Sequence, residues 1–378
     1  MAGLCDIDHT TRIPPEIISE IFLYASHFAV QILEACNPPW VLGHICGRWR
    51  SIALSTPKLW CSLMIVSSSL GSLRIPSILS LISAYLERSS SLPLKLSLDA
   101  GWSLENKLPL LDLLLAQSYR WEEVLISNLT ERTGEHSILP SLQSGDFSCL
   151  KTVRFENSTI IFPGEPFAVS LPNLTSLTLA SSHTELLKHL STPHLEHFRL
   201  EFSFHDRHFL EHIRSFLLKS AHSLTRLGWS NTQIDDVNLL DILKILPNLA
   251  ELDIYCATSR SISDTFLIGL HSRRTVPCVA PMLKWLSLGG DVIGSTDLLV
   301  DVLESRHPED GNNAMACNPL LSVRLYLFQQ FDAQGKARLR ALSDSGMDVG
   351  VFRMSLPMGW IEEPVTDSDT SEEEVGDE

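Results

Sequence analysis

Short stretches near the amino end carry apolar residues every three or four positions, the spacing of a helix with one apolar stripe. The first stretch has them at Ile17, Ile18, Ile21, Phe22 and Ala25. Pro14 and Pro15 precede it, where the fixed φ of proline and its missing N–H suit a first helical turn. The second stretch has them at Leu42, Ile45, Cys46, Trp49, Ile52 and Ala53, and Pro57 ends it. The pattern predicts three short helices that need something else to cover their wide apolar faces.

Strand and helix patterns alternate in the next segment, residues 61–120. Ser62 to Val66 and Leu94 to Leu98 have strand patterns, and Ile75 to Leu86 and Leu104 to Tyr119 have helical patterns. We interpret residues 61–120 as linking strand and helix units that begin a longer series.

From Trp121 the phrase apolar-x-x-apolar-x-apolar recurs eight times. The instances are Trp121/Val124/Ile126, Leu150/Val153/Phe155, Leu174/Leu177/Leu179, Leu195/Phe198/Leu200, Leu224/Leu227/Trp229, Leu249/Leu252/Ile254, Leu283/Leu286/Leu288 and Leu320/Val323/Leu325. Helical segments follow several of them: Phe209 to Lys219, Val237 to Leu246, Thr296 to Arg306 and Ala333 to Leu342. The predicted fold class is therefore α/β, with residues 121–361 forming an irregular leucine-rich-repeat-like solenoid of parallel strands. An unrelated α/β domain that alternates strand and helix is the alternative.

Two segments interrupt this series and are predicted to be long loops. They are Ser259 to Pro281 and Arg306 to Pro319. Asn128, Asn157 and Asn231 follow the phrases one position earlier than in the repeat consensus, so we expect no complete asparagine ladder.

The amino-terminal segment, residues 1–60, resembles the F-box, and its motif residues are most similar to those of the large F-box families of fungi. The matching residues are Ile13-Pro14-Pro15-Glu16-Ile17, Ile21-Phe22, Ile45-Cys46-x-Arg48-Trp49 and Pro57-x-Leu59-Trp60. The insert from Leu23 to Pro39 is longer than the usual link between the first two helices of that family. The alternative is an ordinary helical hairpin whose apolar residues all pack inward.

The resemblance implies the substrate-recognition subunit of a Skp-cullin-F-box ubiquitin ligase. Such a subunit docks on the Skp-type adaptor, and through it on the cullin ligase, and binds an unknown target protein through its repeats. The residues that would contact the adaptor are Pro14, Pro15, Ile17, Ile21, Leu42, Ile45, Trp49 and Trp60. Trp49 could instead belong to the core of the module. We expect no catalytic residue, cofactor or bound metal, because ubiquitin transfer would follow from proximity.

The charge distribution bears on the partners. The net charge is −16, from 45 acidic and 29 basic residues, and nine of the acidic residues lie in residues 362–378. The remainder, 36 acidic against 29 basic residues, has a charge of −7 and no run of Lys or Arg, which argues against nucleic-acid binding. Residues 362–378 are predicted to be a disordered acidic tail.

Eight cysteines are scattered singly, and we expect them to be reduced. No signal peptide and no membrane span is evident, so we expect a cytoplasmic or nuclear protein without membrane contact.

Two further features are candidates for function. Trp229, Arg260, Arg273 and Arg274 are candidates for contact with the target, the alternative being a core tryptophan and an ordinary solvated loop. The stretch His208-Phe209-Leu210-Glu211-His212 fits the H-x-x-E-H pattern of a zinc hydrolase, with two histidines on one helix face and Glu211 as general base. The interpretation that we favour is a solvated polar face, because the same helix carries Phe209, Ile213, Phe216 and Leu217 on its apolar side. The rival functions are thus a repeat scaffold that joins no ligase and a zinc-dependent hydrolase.

Overall fold

The computed structural model describes most of the chain. The described residues are 12–26, 37–66, 75–99, 108–128, 145–158, 168–180, 184–201, 208–230, 234–256, 262–274, 277–290, 295–307, 317–355 and 359–362. Contacts divide the chain into two compact units, Met1–Pro193 (unit 1) and His194–Glu378 (unit 2). The predicted F-box segment therefore belongs to the same unit as the first strands.

Unit 1 begins with three helices, α1 (Pro15–Ala25), α2 (Trp40–Ile45) and α3 (Gly47–Leu54), and a 3-10 turn at Pro57–Trp60. Cys46 separates α2 from α3 because its backbone is extended, and its Sγ accepts a hydrogen bond from the backbone N–H of Trp49 at 3.5 Å. This sulfur caps the start of α3.

A parallel sheet follows in unit 1. Its strands are β1 (Ser62–Ile65), β2 (Leu94–Asp99), β3 (Trp121–Ser127), β4 (Thr152–Glu156) and β6 (Ser176–Ala180), and each pairs with the next. The helices are α4 (Ile75–Arg88), α5 (Leu108–Leu115) and α6 (Leu186–His189), with a 3-10 turn at Ser118–Arg120. The short strands β5 (Val169–Ser170) and β7 (Leu190–Ser191) form a separate parallel pair.

Unit 2 repeats the strand and helix alternation. Its parallel strands are β8 (His197–Glu201), β9 (Arg226–Ser230), β10 (Glu251–Cys256), β11 (Trp285–Gly290), β12 (Ser322–Leu327) and β13 (Asp348–Ser355), and β14 (Gly359–Glu362) pairs antiparallel with β13. The helices are α7 (Phe209–Ser220), α8 (Asp236–Lys244), α9 (Asp264–Leu270), α10 (Thr296–Ser305) and α11 (Ala333–Asp344). The predicted α/β class with parallel strands is confirmed.

The apolar phrases form the core beneath the parallel strands of each unit. All 24 of their apolar positions are buried, each at most 8% exposed. Asn128 and Asn157 follow two of these strands with φ of 54° and 46°, a left-handed conformation that asparagine tolerates. Their backbone N–H groups donate to the carbonyl oxygens of Glu156 and Ala180, so each turn is joined to the next strand.

Two predictions are wrong: that the segment from Ser259 to Pro281 is one long loop, and that all the cysteines are reduced. Residues 264–270 form α9 instead of a loop, because the hydroxyl of Ser263 caps the first turn and Phe266, Leu267 and Leu270 are buried. Cys278 is disulfide-bonded to Cys317, whereas reduced thiols were expected. Cys46, Cys61 and Cys149 are free in the described residues.

None of the helices in the described ranges combines the length and the apolar content that a membrane crossing needs.

Candidate functional site

Helix α1 has two apolar faces with different environments. Ile18 and Phe22 are 2% and 0% exposed, so one face is packed into unit 1. Ile17, Ile21 and Tyr24 are 52%, 50% and 84% exposed, and they share the other face at i, i+4 and i+7. We call these three residues the α1 stripe. A folded helix with an uncovered apolar stripe is typical of a docking element.

The surroundings of the α1 stripe add exposed apolar residues. Pro14 and Pro15 are exposed at the start of the helix. On α2, Val41 and Ile45 are four residues apart and are exposed, Ile45 to 56%. Five of the eight predicted adaptor contacts are therefore at the surface of unit 1.

Helix α1 is held in place from its buried side. The ring of Phe22 packs against that of Trp49 with centroids 5.0 Å apart, and an Nη of Arg48 donates to the carbonyl oxygen of Ile13 at 2.5 Å. Trp49 is half-buried, so it contributes to the module's own core. The exposed stripe thus stands on a fixed helix.

Two of the predicted adaptor contacts belong to the core instead. Leu42 is 8% exposed and Trp60 is 1% exposed. The indole N–H of Trp60 donates to the carbonyl oxygen of Ala53 at 2.9 Å, and its ring packs edge-on against Tyr85 of α4 at 5.0 Å. The structure therefore corrects the role of Leu42 and Trp60: they join the helices to one another and to α4, and their side chains are not available at the surface.

The strands of unit 2 carry polar side chains on the face opposite the buried phrases. Cross-strand ion pairs connect Arg226 with Glu251 at 2.9 Å, Arg199 with Asp253 at 2.8 Å and Arg324 with Asp348 at 2.6 Å. The hydrogen bond from Arg324 holds the pKa of Asp348 below its usual value. We call this surface the open face.

Aromatic side chains interrupt the polar surface of the open face. In the register, Tyr255, Gly289, Tyr326 and Phe352 stand side by side on β10 to β13. The rings of Tyr326 and Phe352 are stacked with centroids 4.7 Å apart, and the ring of Tyr255 occupies the space over Gly289, where a Cβ would lie 2.4 Å from its Cδ2. We call Tyr255, Tyr326 and Phe352 the aromatic row.

Trp285 extends this aromatic surface. It lies on β11 at the opposite end of the strand from Gly289 and is 50% exposed. Aromatic residues among arginines are typical of protein-binding hot spots. Sequence reasoning missed Trp285 and the aromatic row. Trp285 directly precedes the buried Leu286, and Tyr255 and Tyr326 directly follow the buried Ile254 and Leu325, so the alternation of the strand pattern indicated that these three side chains point outward.

The predicted target-binding residues lie in different environments. Trp229 is completely buried, because it is the third apolar position of its own repeat phrase, so the prediction that it is an exposed strand-end residue is wrong. Arg273 and Arg274 are exposed at the carboxyl end of α9, and Arg274 lies 4.0 Å from Asp301. Arg260 lies outside the described residues.

A buried arginine fixes the segment after Arg274. Arg306 is 1% exposed and donates to the carbonyl oxygens of Leu270 at 2.9 Å, Val279 at 2.6 Å and Ala280 at 3.1 Å. Burial lowers the pKa of Arg306 to about 10, which still leaves it charged at neutral pH. The three carbonyl groups replace the water that the guanidinium loses.

The H-x-x-E-H stretch lies at the start of α7. His208 and Glu211 are largely exposed and their Nδ1 and Oε2 atoms are 3.8 Å apart, while His212 is only 6% exposed. The rings of His208 and His212 have centroids 6.2 Å apart. Within the described ranges, no group of three or more His, Cys, Asp or Glu side chains is placed to hold a metal ion. The described residues thus supply no third ligand for the predicted zinc site.

No protein-family model matches this chain, and no curated protein matches it significantly.

Proposed function

We propose that this chain is the substrate-recognition subunit of a Skp-cullin-F-box ubiquitin ligase. In this proposal residues 13–60 are the F-box and dock on the Skp-type adaptor, and the strand and helix units after them form a leucine-rich-repeat-like domain that binds a target protein. Ubiquitin transfer would then depend on proximity, without a catalytic residue in this chain.

The observation that carries the proposal is the α1 stripe. Its residues lie in the segment that resembles the F-box, on a helix whose other face is packed by Ile18 and Phe22. An ordinary helical hairpin would turn its large apolar residues inward, whereas Ile17 and Ile21 are half-exposed. A partner that covers the stripe would remove this apolar surface from water at about 25 cal/mol per Å².

A binding experiment with the purified full chain and a Skp-type adaptor tests this proposal. We expect the wild type to form a complex and the double variant Ile17→Asp/Ile21→Asp to lose at least about tenfold in affinity, since central apolar anchors contribute about 2 kcal/mol or more each. Val237→Asp is the matched control, because Val237 is 60% exposed on α8 of unit 2. It should bind like the wild type.

Two results would contradict the proposal. If the wild type does not bind the adaptor, the protein is not a ligase subunit and the ligase-independent scaffold takes its place. If the Ile17→Asp/Ile21→Asp variant binds as tightly as the wild type, the α1 stripe is not the docking surface.

We assign binding of the target protein to the open face of unit 2. The aromatic row and Trp285 supply apolar anchors, and Arg199, Arg226 and Arg324 supply charges already oriented by ion pairs. Proximity labelling in the native cell, with wild type and Trp285→Ala/Tyr326→Ala, tests this assignment. The variant should lose the target while keeping the adaptor, and identical labelling by both proteins would exclude the open face.

A further inference from the structure

An open pocket lies between α2, α3 and α4 of unit 1, and the proposed function does not use it. Its empty volume is about 530 Å³, counting space open to solvent. The indole rings of Trp40 and Trp60 form its walls, and His44, Arg50 and Arg88 line it as well. Among the described residues, no acidic side chain lines this pocket, although the chain as a whole carries a net charge of −16. We call it the arginine pocket.

The guanidinium of Arg88 is positioned by aromatic rings instead of by a carboxylate. Its Cζ lies 4.8 Å from the ring centroid of Trp40 and 4.5 Å from that of Trp60, which are cation–π distances. Its Nη1 is buried and has no hydrogen-bond partner among the described residues. The two rings therefore orient the guanidinium of Arg88, and its Nη1 donates no hydrogen bond to a described residue.

Arg50 adds a second positive charge at the arginine pocket. Its Nε donates to the carbonyl oxygen of Gly43 at 2.8 Å, which fixes the side chain against α2. In the ranges described above, neither Arg50 nor Arg88 forms an ion pair. Each guanidinium has five N–H donors and no acceptor, so donors remain that can bind water or the oxygen atoms of a ligand.

Two more polar groups, from Trp40 and Tyr85, lie close to the arginine pocket. The indole N–H of Trp40 faces the hydroxyl of the fully buried Tyr85, whose ring packs against both tryptophans, although the geometry between the two groups is not that of a regular hydrogen bond. The N–H of Trp60, by contrast, is used by Ala53. Trp40 lines the arginine pocket and Tyr85 does not, so of these two groups only Trp40 borders a ligand bound there.

We propose that the arginine pocket binds a carboxylate side chain of an acidic peptide segment. The carboxylate would accept hydrogen bonds from Arg88 and Arg50, as planar guanidinium groups favour, while the aliphatic stem of the Asp or Glu lies against Trp40. Charge complementarity selects this occupant: the lining residues that the structure describes are basic, aromatic or apolar, so none of them repels an acidic peptide.

This inference stands apart from the docking of an adaptor. The arginine pocket is formed by α2, α3 and α4, whereas the α1 stripe lies on α1, and the test uses a peptide in place of the adaptor. The two proposals can therefore fail separately.

The test measures binding of a fluorescent synthetic peptide of alternating Glu and Gly to the purified full chain at low salt. We expect the wild type to bind it and Arg50→Gln/Arg88→Gln to bind at least about tenfold more weakly, because two charge-assisted contacts are lost. The control Arg12→Gln/Lys58→Gln makes the same charge change at exposed residues that do not line the pocket, and it should remain within about twofold of the wild type.

Three outcomes would overturn the proposal. They are the absence of peptide binding by the wild type, equal weakening in the control variant, and equal binding of a peptide with Gln in place of Glu. Displacement of the peptide by millimolar inorganic phosphate would also overturn the carboxylate assignment in favour of a general anion site. If circular dichroism shows that the double variant is unfolded, the single variant Arg50→Gln decides, since Arg50 is exposed and its loss should still weaken binding at least about threefold.

Discussion

Ile17 and Ile18 are consecutive residues of the same helix, yet Ile18 is buried to 2% exposure while Ile17 remains 52% exposed. A step of one residue turns the side chain by roughly 100° around an α-helix, so neighbours can face different environments. Two such neighbours with identical side chains allow the core role of α1 to be separated experimentally from its surface role.

Substitutions on the two faces of α1 should therefore differ strongly in how much they reduce stability. Ile17→Asp/Ile21→Asp should change the free energy of unfolding by less than about 1 kcal/mol, because both sites are solvated. Ile18→Asp/Phe22→Asp buries two carboxyl groups without partners and should unfold the amino-terminal helices. Urea denaturation followed by circular dichroism measures both. A large loss of stability in the exposed pair would show that the α1 stripe is internal packing.

Trp60 should behave as a core residue. Trp60→Ala removes the largest fully buried side chain of unit 1 and its hydrogen bond to Ala53, and we expect a loss of about 3–5 kcal/mol. Trp60→Phe keeps an aromatic ring beside Tyr85 but leaves the carbonyl of Ala53 without this donor, so its cost should be smaller. Urea denaturation distinguishes the two. A Trp60→Ala protein as stable as the wild type would place Trp60 at a surface instead.

Arg306 should be essential for the segment around Ala280. Arg306→Met leaves three buried backbone carbonyl groups without their donor, and we expect a loss of about 3–5 kcal/mol in the stability of unit 2. Arg214→Met on α7 is the control, because Arg214 is exposed and should cost less than about 0.5 kcal/mol. Equal effects of the two substitutions in thermal unfolding would contradict this account.

His271 should make stability depend on pH. Its pKa is lowered from the model-peptide value of 6.5, first by burial and then by Arg274 and Arg273, while Asp301 opposes the shift. In the pH window below 6.5 and above the folded pKa, the unfolded chain binds the proton and the folded chain does not. The free energy of unfolding should therefore fall as pH decreases through that window.

The substitution His271→Gln isolates this contribution. The neutral ring accepts a hydrogen bond from the backbone N–H of Arg273 through Nδ1 at 3.2 Å, and a glutamine does not titrate. Subtracting the pH profile of the variant from that of the wild type between pH 7.5 and 5.5 should leave a loss of stability on acidification. A difference with the opposite slope would mean that the folded state binds this proton more tightly.

The disulfide between Cys278 and Cys317 should stabilise unit 2. It closes a loop with a sequence separation of 39, for which the loss of chain entropy in the unfolded state corresponds to about 3–4 kcal/mol. Cys278→Ser should therefore unfold at lower urea concentration than the wild type under non-reducing conditions. Under full reduction the two proteins should be nearly equal. Peptide mapping without reductant checks the pairing itself, and a linked pair other than these two cysteines would contradict it.

The periodicity of the chain was enough to predict much of the fold. The apolar positions of the eight repeat phrases from Trp121 to Leu325 are all buried, and the second and third position of each phrase lie on a strand. Helices α4, α7, α10 and α11 are close to their predicted ranges. Local sequence signals predict the wrong element where they conflict with one another or are weak. Helix α9 was missed because Ser, Gly and Pro around it favoured a loop, although Ser263 is a good N-cap. The predicted acidic tail lies outside the described residues apart from Glu362, which ends β14.

Sequence by itself determined which residues are apolar and how they repeat, and with that the order of helices and parallel strands, because period and side-chain direction are local properties of the backbone. Only the tertiary structure decided which apolar residue is covered. Trp60 and Trp229 are buried and Ile17 and Trp285 are exposed, although all four are large and apolar. Exposure depends on what the rest of the chain packs against each face, which no short stretch encodes. Tertiary structure also decides which distant segments meet. It brings Cys278 to Cys317, and it brings Arg50 and Arg88 to Trp40.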